Sequence, residues 1–358
     1  SPAKMERGLL ATKQAGLSLQ TETREKRVMN DLDATVTWSD ADNERHNATE
    51  TFAAAGNIFG GSSSFSRAKD FNTSVSDFLR LRKLHIQSRN ALHYTNSRNT
   101  AWGSDSTMRD TLLNRSWSDG LGRSRLLSLN GITMWSQPLP WGDILSIDAQ
   151  YMWQKRTPDE LFGLSGTQYA ASLPADRRNY YTDAADESYS YSIELGYMFA
   201  LPKGWYVEPN FTYGQDWHSA STSRYRLDRL GDSLLMAFDW DNSDWGNSLT
   251  RSYSGEVSIQ KSTDNMEFFL SLPVKHSRER LHYNDYSVDT VATRSYTEFS
   301  PWLEYRYNKG RQRHELSYQM RVAQPEFTAL MPGDDTTNPL AHIVSNPDLK
   351  ARTDHSLS

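Results

Sequence analysis

Apolar and polar side chains alternate one by one along several stretches of this chain. In 145–153, Leu145, Ile147, Ala149, Tyr151 and Trp153 interleave with Ser146, Asp148, Gln150 and Met152. Tyr191, Ile193, Leu195, Tyr197 and Phe199 alternate with Ser192, Glu194, Gly196 and Met198. Trp205, Val207, Pro209, Phe211 and Tyr213 repeat the pattern, as do Tyr253–Ile259 and Leu316–Val322. A period of two over eight or more residues predicts strands with one apolar and one polar face. Weaker versions recur at 13–23, 31–40, 73–82, 84–95, 126–137, 266–275 and 297–308. Together they predict about twelve strands of near ten residues, and no stripe of period 3.6 runs through them. Ten residues at about 3.3 Å each, tilted near 45°, cross roughly 23 Å, close to the height of an outer-membrane apolar band.

The connections alternate as well. Short turns fall at Leu139-Pro140-Trp141-Gly142, Leu201-Pro202-Lys203-Gly204, Ser262-Thr263-Asp264-Asn265 and Asn308-Lys309-Gly310, rich in the residues that tight turns require. Between the hairpins lie long polar runs at 96–125, 155–188, 215–250, 276–296 and 323–351, expected to be loops. Short on one side and long on the other is the layout of bacterial barrels, with periplasmic turns and extracellular loops. The expected architecture is therefore an all-β, antiparallel transmembrane β-barrel. Leu145, Ile147, Tyr151, Ile193, Leu195 and Phe211 should face lipid, and Asp148, Glu194, Glu208 and Glu256 should face inward. A soluble sandwich or solenoid remains compatible with alternation alone.

Composition sharpens the choice. The 358 residues are 37% hydrophobic and 23% charged, with a mean hydropathy of -0.72. Yet 12% of the chain is aromatic, and Trp135, Trp141, Trp153, Trp205, Tyr206, Tyr305 and Tyr307 gather near strand ends, as interfacial girdles do. The net charge of -5 excludes a basic field for nucleic acid. With no cysteine there are no disulfides, thiolate metal sites or Cys nucleophiles. No run approaches the roughly 18 apolar residues of a transmembrane helix, and the start carries no signal-peptide core.

The C-terminal third contains Arg321-Val322-Ala323-Gln324-Pro325, Leu330-Met331-Pro332, Asn338-Pro339-Leu340 and Asn346-Pro347-Asp348-Leu349-Lys350, followed by His355. This resembles the TonB-dependent receptor family, in the branch where a strand ending Arg-x-x-x-Pro precedes an Asn-Pro-Leu … Gly-Asn-Pro-Asp-Leu-Lys-Pro-Glu loop. Arg178-Asn179-Tyr180-Tyr181 is similar to a second phrase of that branch. Ser345 stands where the family has Gly, and Ala351-Arg352 where it has Pro-Glu. The resemblance implies a barrel of about 22 strands, a plug domain and a short energy-coupling box. Neither plug nor box is visible in these residues. The expectation is one partial barrel domain over 1–358, with the plug and the last strands outside it. The resemblance further implies a Gram-negative outer membrane, lipid contact, uptake of a small-molecule, oligosaccharide or peptide solute, and coupling to the TonB complex through the N-terminal parts.

No catalytic motif appears: no Gly-x-Ser-x-Gly elbow, P-loop or dinucleotide fingerprint. His314-Glu315 lacks the second His of a zinc helix, and Gly60-Gly61-Ser62-Ser63-Ser64 is expected as a plain Ser-rich loop. Asp239, Asp241, Ser243 and Asp244 open like a calcium loop, but Asp244 stands where Gly is needed and Thr250 where Glu is needed. Asp334-Asp335 after Pro332-Gly333 is expected as a turn. No enzyme, cofactor or metal is expected. The candidate ligand-binding residues are Trp217, Tyr225, Asp239, Trp240, Asp241 and Trp245, where rings stand beside charges in a run without strand period. The competing reading is that these rings only pack a loop over the barrel mouth. For function, TonB-dependent uptake leads, with a passive porin or a structural or adhesive barrel as alternative and an outer-membrane hydrolase behind both.

Overall fold

The computed structural model describes residues 3–23, 25–52, 56–169, 172–229, 234–285, 289–310, 312–325, 334–338, 341–344 and 349–358. The first five strands are β1 (Ala3–Glu22), β2 (Val28–Thr51), β3 (Ile58–Leu81), β4 (Ile86–Arg109) and β5 (Thr111–Pro138). The next five are β6 (Ile144–Gln168), β7 (Asp176–Leu201), β8 (Trp205–Arg226), β9 (Asp244–Thr263) and β10 (Met266–Asp285). Then come β11 (Asp289–Phe299), β12 (Trp302–Lys309) and β13 (Gln312–Ala323). A separate hairpin, β14 (Asp334–Asn338) with β15 (Ala341–Val344), precedes β16 (Arg352–Leu357). A single short helix, α1 (Leu234–Ala237), lies between β8 and β9.

Every strand from β1 to β10 pairs antiparallel with its chain neighbour, and the wall continues through β12, β13 and β16. Strands β11 and β12 are two halves of one. Both pair β10, over Val274–Asn284 and Met266–Ser271 respectively, and they part at Ser300-Pro301, where proline has no ladder donor.

All the expected strand cores lie in this wall, but the expected loops mostly do not exist as loops. Segments 96–125, 155–188, 215–250 and 276–296 belong largely to strands of 20–28 residues that continue far past the apolar cores. Asp110 alone joins β4 to β5. Gly60–Ser64 runs inside β3, and Asp334-Asp335 begins β14 instead of making a turn. These arms carry no apolar alternation, and the backbone ladder runs on through them. Within 323–351, the family-like residues Leu330, Met331, Pro332, Pro339, Leu340, Asn346, Pro347 and Asp348 fall outside the described residues.

From β6 to β10 the two faces divide along the apolar cores. Across β6 to β10 one row reads Ile147, Leu195, Phe211, Gly255, Val274, while an adjacent row on the other face reads Asp148, Glu194, Thr212, Ser254, Lys275. Residues of the polar face from β2 to β10 line one groove of about 800 Å³, so the sheet curls around that face. Glu208 and Glu256 share it by strand parity, and Ser271 Oγ donates to Glu256 Oε1 at 2.7 Å. Ile193, Leu195 and Phe211 stand on the convex face, 45–49% exposed. Among the described residues only Ala237 and Leu281 are buried apolar side chains. A sandwich would bury a whole inner face, so the sandwich alternative fails.

Aromatic rings band the convex face at two levels. The level farther from the short turns joins Trp38, Phe71 and Tyr94, with centroids 5.0 and 6.4 Å apart, and Tyr189 stacked on Trp217 at 5.4 Å. Trp153 lies directly opposite Tyr189, and its Nε1 donates to Glu187 Oε1. The level near the turns holds Trp205 packed on Phe268, Tyr197 on Phe199, and Trp141. From Trp205 to Trp217 on β8, twelve steps at about 3.3 Å and a typical tilt near 45° span roughly 28 Å, enough for an apolar band of about 25 Å.

The turn at 139–143 is locked by one carboxylate. Asp143 accepts from Ala200 N–H at 2.9 Å, and from Tyr197 Oη and Trp141 Nε1 at 2.8 Å each. The backbone N–H of Ala200 and the Tyr197 hydroxyl hold its carboxyl below the usual range. A polar island crosses the convex face, where Tyr151 Oη donates to Asn90 Oδ1, Asn90 Nδ2 donates to Ser88 Oγ, and Ser88 meets Thr133. Between them Gly131 leaves room for the Tyr151 ring, since a Cβ there would lie 2.6 Å from it.

The wall does not close on itself within the described residues: β1 pairs only β2, and β16 only β13. Open strand edges leave backbone groups without partners, at several kcal/mol each in lipid. Residues 1–358 expressed alone should therefore give no discrete conductance in a planar bilayer. Reproducible single-channel steps would contradict the open wall.

Candidate functional site

The expected ring-rich loop resolves into strand ends and a small cap. Positions 215–226 continue β8 and 244–250 open β9, with α1 and a helical turn at Trp240–Asn242 between them. Tyr225, Trp240 and Trp245 converge on Phe238, at centroid distances of 5.2, 4.5 and 6.2 Å. Tyr181 of β7 joins from behind, 5.8 Å from Tyr225. Phe238 is the hub, and periodicity gave no signal for it because it sits off the strands. Trp217 is elsewhere, stacked in the aromatic band, and Asp241 is exposed at the surface.

Asp239 is buried in the cap's anchor. Its N–H donates to Arg224 O at 2.8 Å, and its Oδ2 accepts from Asn242 Nδ2 at 2.9 Å. Ser243, also buried, donates to Asp239 O and accepts from Arg224 N–H. These bonds engage Asp239 Oδ2 and the Ser243 hydroxyl within the cap, and among the described residues no group of three or more metal-ligating side chains gathers. On the other side Arg226 lies 5.9 Å over the Tyr180 ring and pairs with Asp228. Burial and then the Asp239 charge raise the Tyr180 hydroxyl above its ordinary pKa. Tyr180 and Tyr181, from the second family-like phrase, thus flank the cap on opposite faces.

By strand parity Tyr225 and Trp245 share the convex face with Trp217, so the ring cluster braces the outside of the arm. The concave face beside it holds a second site that the sequence did not single out. Above the central groove, a cavity of about 570 Å³ is lined by His218, Glu279, Tyr283, Arg294 and Tyr296. Glu279 and Arg294 face each other across β10 and β11 as a half-buried ion pair. Tyr296 Oη donates to Glu279 Oε1 at 2.7 Å, and Arg294 Nη2 donates to Pro325 O at 3.0 Å. Burial, then the Asp285 carboxylate it touches, push the Tyr283 hydroxyl up to about 12. A neutral phenol, a carboxylate and a guanidinium converge in a polar mouth, which suits recognition of a polar solute more than proton transfer.

No family model matches this chain, and no curated protein matches it. Among solved structures, it is similar to the ferric preacinetobactin receptor BauA from Acinetobacter baumannii, at 7% identity over 100% of this chain and 72% of that one, TM-score 0.28. It is also similar to the ferric-catecholate import receptor Fiu from Escherichia coli K12, at 7% identity over 90% and 71%, TM-score 0.25. The β domain of the Bordetella autotransporter BrkA matches at 12% identity over 84% of this chain and 99% of that one, TM-score 0.19. Superpositions this loose add nothing to the fold read from the register and nothing about a ligand.

Removing Arg294 leaves Glu279 half-buried without its cation. Arg294→Ala should cost about 2–3 kcal/mol of local stability and open the mouth to hydrogen exchange at 279–296. Unaltered exchange there would show that the ion pair does not hold the mouth.

Proposed function

We propose that this chain forms part of the wall of a Gram-negative outer-membrane receptor that takes up a solute by TonB-dependent transport. One observation carries the membrane reading: a single-layer sheet whose banded apolar face is covered by no other part of the described residues, while its polar face lines a groove. Apolar area of that extent calls for lipid as its solvent. The family-like phrases at 178–181 and 321–355 support active uptake over passive leakage, because the family they resemble is energised from the inner membrane. The plug and coupling box are the partner elements this reading requires of the whole protein.

In this reading the solute meets the concave mouth first. His218, Glu279, Arg294 and Tyr296 supply polar contacts, and the cap carrying Asp239 steadies the neighbouring arm. Trp240, 44% exposed at the tip of the ring cluster, is the ring best able to stack on an arriving solute. Such stacking contributes around 0.5–1.5 kcal/mol, up to about tenfold in affinity. The solute classes compatible with rings beside charges are small chelates, oligosaccharides and peptides.

The natural full-length protein, tagged and expressed at native level, should fractionate with the outer membrane and migrate heat-modifiably on gels. Growth on its solute should require TonB. Trp240→Ala should weaken capture while leaving assembly intact. Growth unaffected by loss of TonB would favour a passive porin, and growth unaffected by Trp240→Ala would return that ring to packing alone.

A further inference from the structure

A row of charged residues crosses the convex face just beyond the aromatic band. Asp40, Lys69, Arg98 and Arg123 lie directly opposite one another on β2, β3, β4 and β5. Three successive cations in one cross-strand row are mutually repulsive, since directly opposed side chains stand about 5 Å apart at Cβ. Carboxylate residues close the row at its two ends, Asp40 beside Lys69 and Asp159 opposite Arg123 by backbone register, and neither lies opposite the central Arg98. Arg67 takes Asp40 in a two-point bond, Nε to Oδ1 at 2.8 Å and Nη2 to Oδ2 at 2.6 Å, and leaves Lys69 at 3.8 Å. Among the described residues Lys13, Arg98 and Arg123 make no ion pair, and Arg123 only donates to Asn96. This concentration of cations belongs to a chain whose net charge is -5.

The same residues line a groove of about 1110 Å³ on β1 to β5, floored by Trp38 and Phe71 of the aromatic band. Trp38 is 61% exposed, and Val36, Val75 and Leu92 continue the apolar surface below it on the same face. Charge and apolar area are thus stacked in the order in which a lipid carries its headgroup and its tails. We propose that this groove binds a phosphate-bearing lipid of the surrounding leaflet, its phosphates on Lys69, Arg98 and Arg123 and its acyl chains along Trp38 and Phe71. Guanidinium groups suit phosphate because their paired donors match its oxygens, and basic clusters at a membrane surface recognise anionic headgroups in this way. The inference rests on the membrane reading above, since the order of charge and apolar surface has meaning only if the band lies in lipid.

The test uses the natural full-length protein in neutral detergent, with bisphosphoryl lipid A, its dephosphorylated form and inorganic pyrophosphate as probes. Native mass spectrometry should detect a retained adduct with the bisphosphorylated lipid. The variant carrying Lys69→Gln, Arg98→Gln and Arg123→Gln should lose it by about tenfold or more. Lipid should also raise the melting temperature of the wild type and not of the variant. Without lipid, Arg98→Gln alone should melt no lower than wild type, because it relieves repulsion; a purely structural arginine would melt lower. Equal retention of the dephosphorylated lipid, an unchanged adduct in the variant, or equal occupancy by pyrophosphate would each overturn the proposal. The membrane reading is scored separately, by whether wild type and variant both insert into phosphatidylcholine vesicles. Insertion without lipid selectivity removes only the groove, whereas failure of both proteins to insert removes the wall.

Discussion

Everything in this molecule depends on the backbone ladder between neighbouring strands. A chain that buries two apolar side chains among its described residues has no hydrophobic core to stabilise it. What orders it is the unbroken pairing from β1 through β10 and on to β16, in which β2 to β10 are each paired on both sides. The hydrophobic effect, which in a globular domain drives collapse, here acts only if the convex face leaves water for lipid. The open edges of β1 and β16 and the uncovered apolar face therefore express one constraint. Both need a surrounding that this wall does not itself provide.

The ladder also explains which parts were legible in the sequence. Where one face of a strand is the uncovered convex surface and the other lines the groove, its side chains alternate, and 145–153, 191–199 and 205–213 are readable residue by residue. If the band lies in lipid, both faces beyond it meet the same solvent, so nothing constrains the order of side chains. Asn96 to Arg109 has no pattern, yet it pairs with β5 almost without interruption, with one bulge beside Met108. A polar run without period reads as a loop, and the long arms were missed for that reason. Their only local signal is the turn residue at each tip, and Asp110, with φ of 55°, is one such tip.

The candidate site was legible in composition and not in arrangement. The rings at 225, 240 and 245 do meet, but through Phe238, which lies in the irregular cap, and Trp217 belongs to the band because of its height on β8. Glu279 and Arg294 are fifteen residues apart across a hairpin, so only the β10–β11 register brings them together. A charged residue in a run such as Arg278-Glu279-Arg280 carries no mark of the partner it will face. Pairings of this kind are set by register, and register is a property of the whole sheet.

In the membrane reading one strand serves three solvents in succession, and its chemistry changes with height more than with sequence neighbourhood. On β3, Leu81 and Val75 sit in the apolar band, Phe71 marks its boundary, Lys69 and Arg67 follow immediately, and Ser62–Ser64 complete an arm in water. The same face, interrupted by Asp77 and Thr73, passes from aliphatic to aromatic to cationic within about fifteen residues, roughly 35 Å at the usual rise and tilt. A cation two residues beyond a belt ring is at the level of headgroups, where its charge has an anion within reach, whereas the same cation four residues lower would face hydrocarbon at a cost of several kcal/mol. In the membrane reading, the row Lys69, Arg98 and Arg123 stands at the height of the lipid headgroups, where anionic phosphate would offset its mutual repulsion.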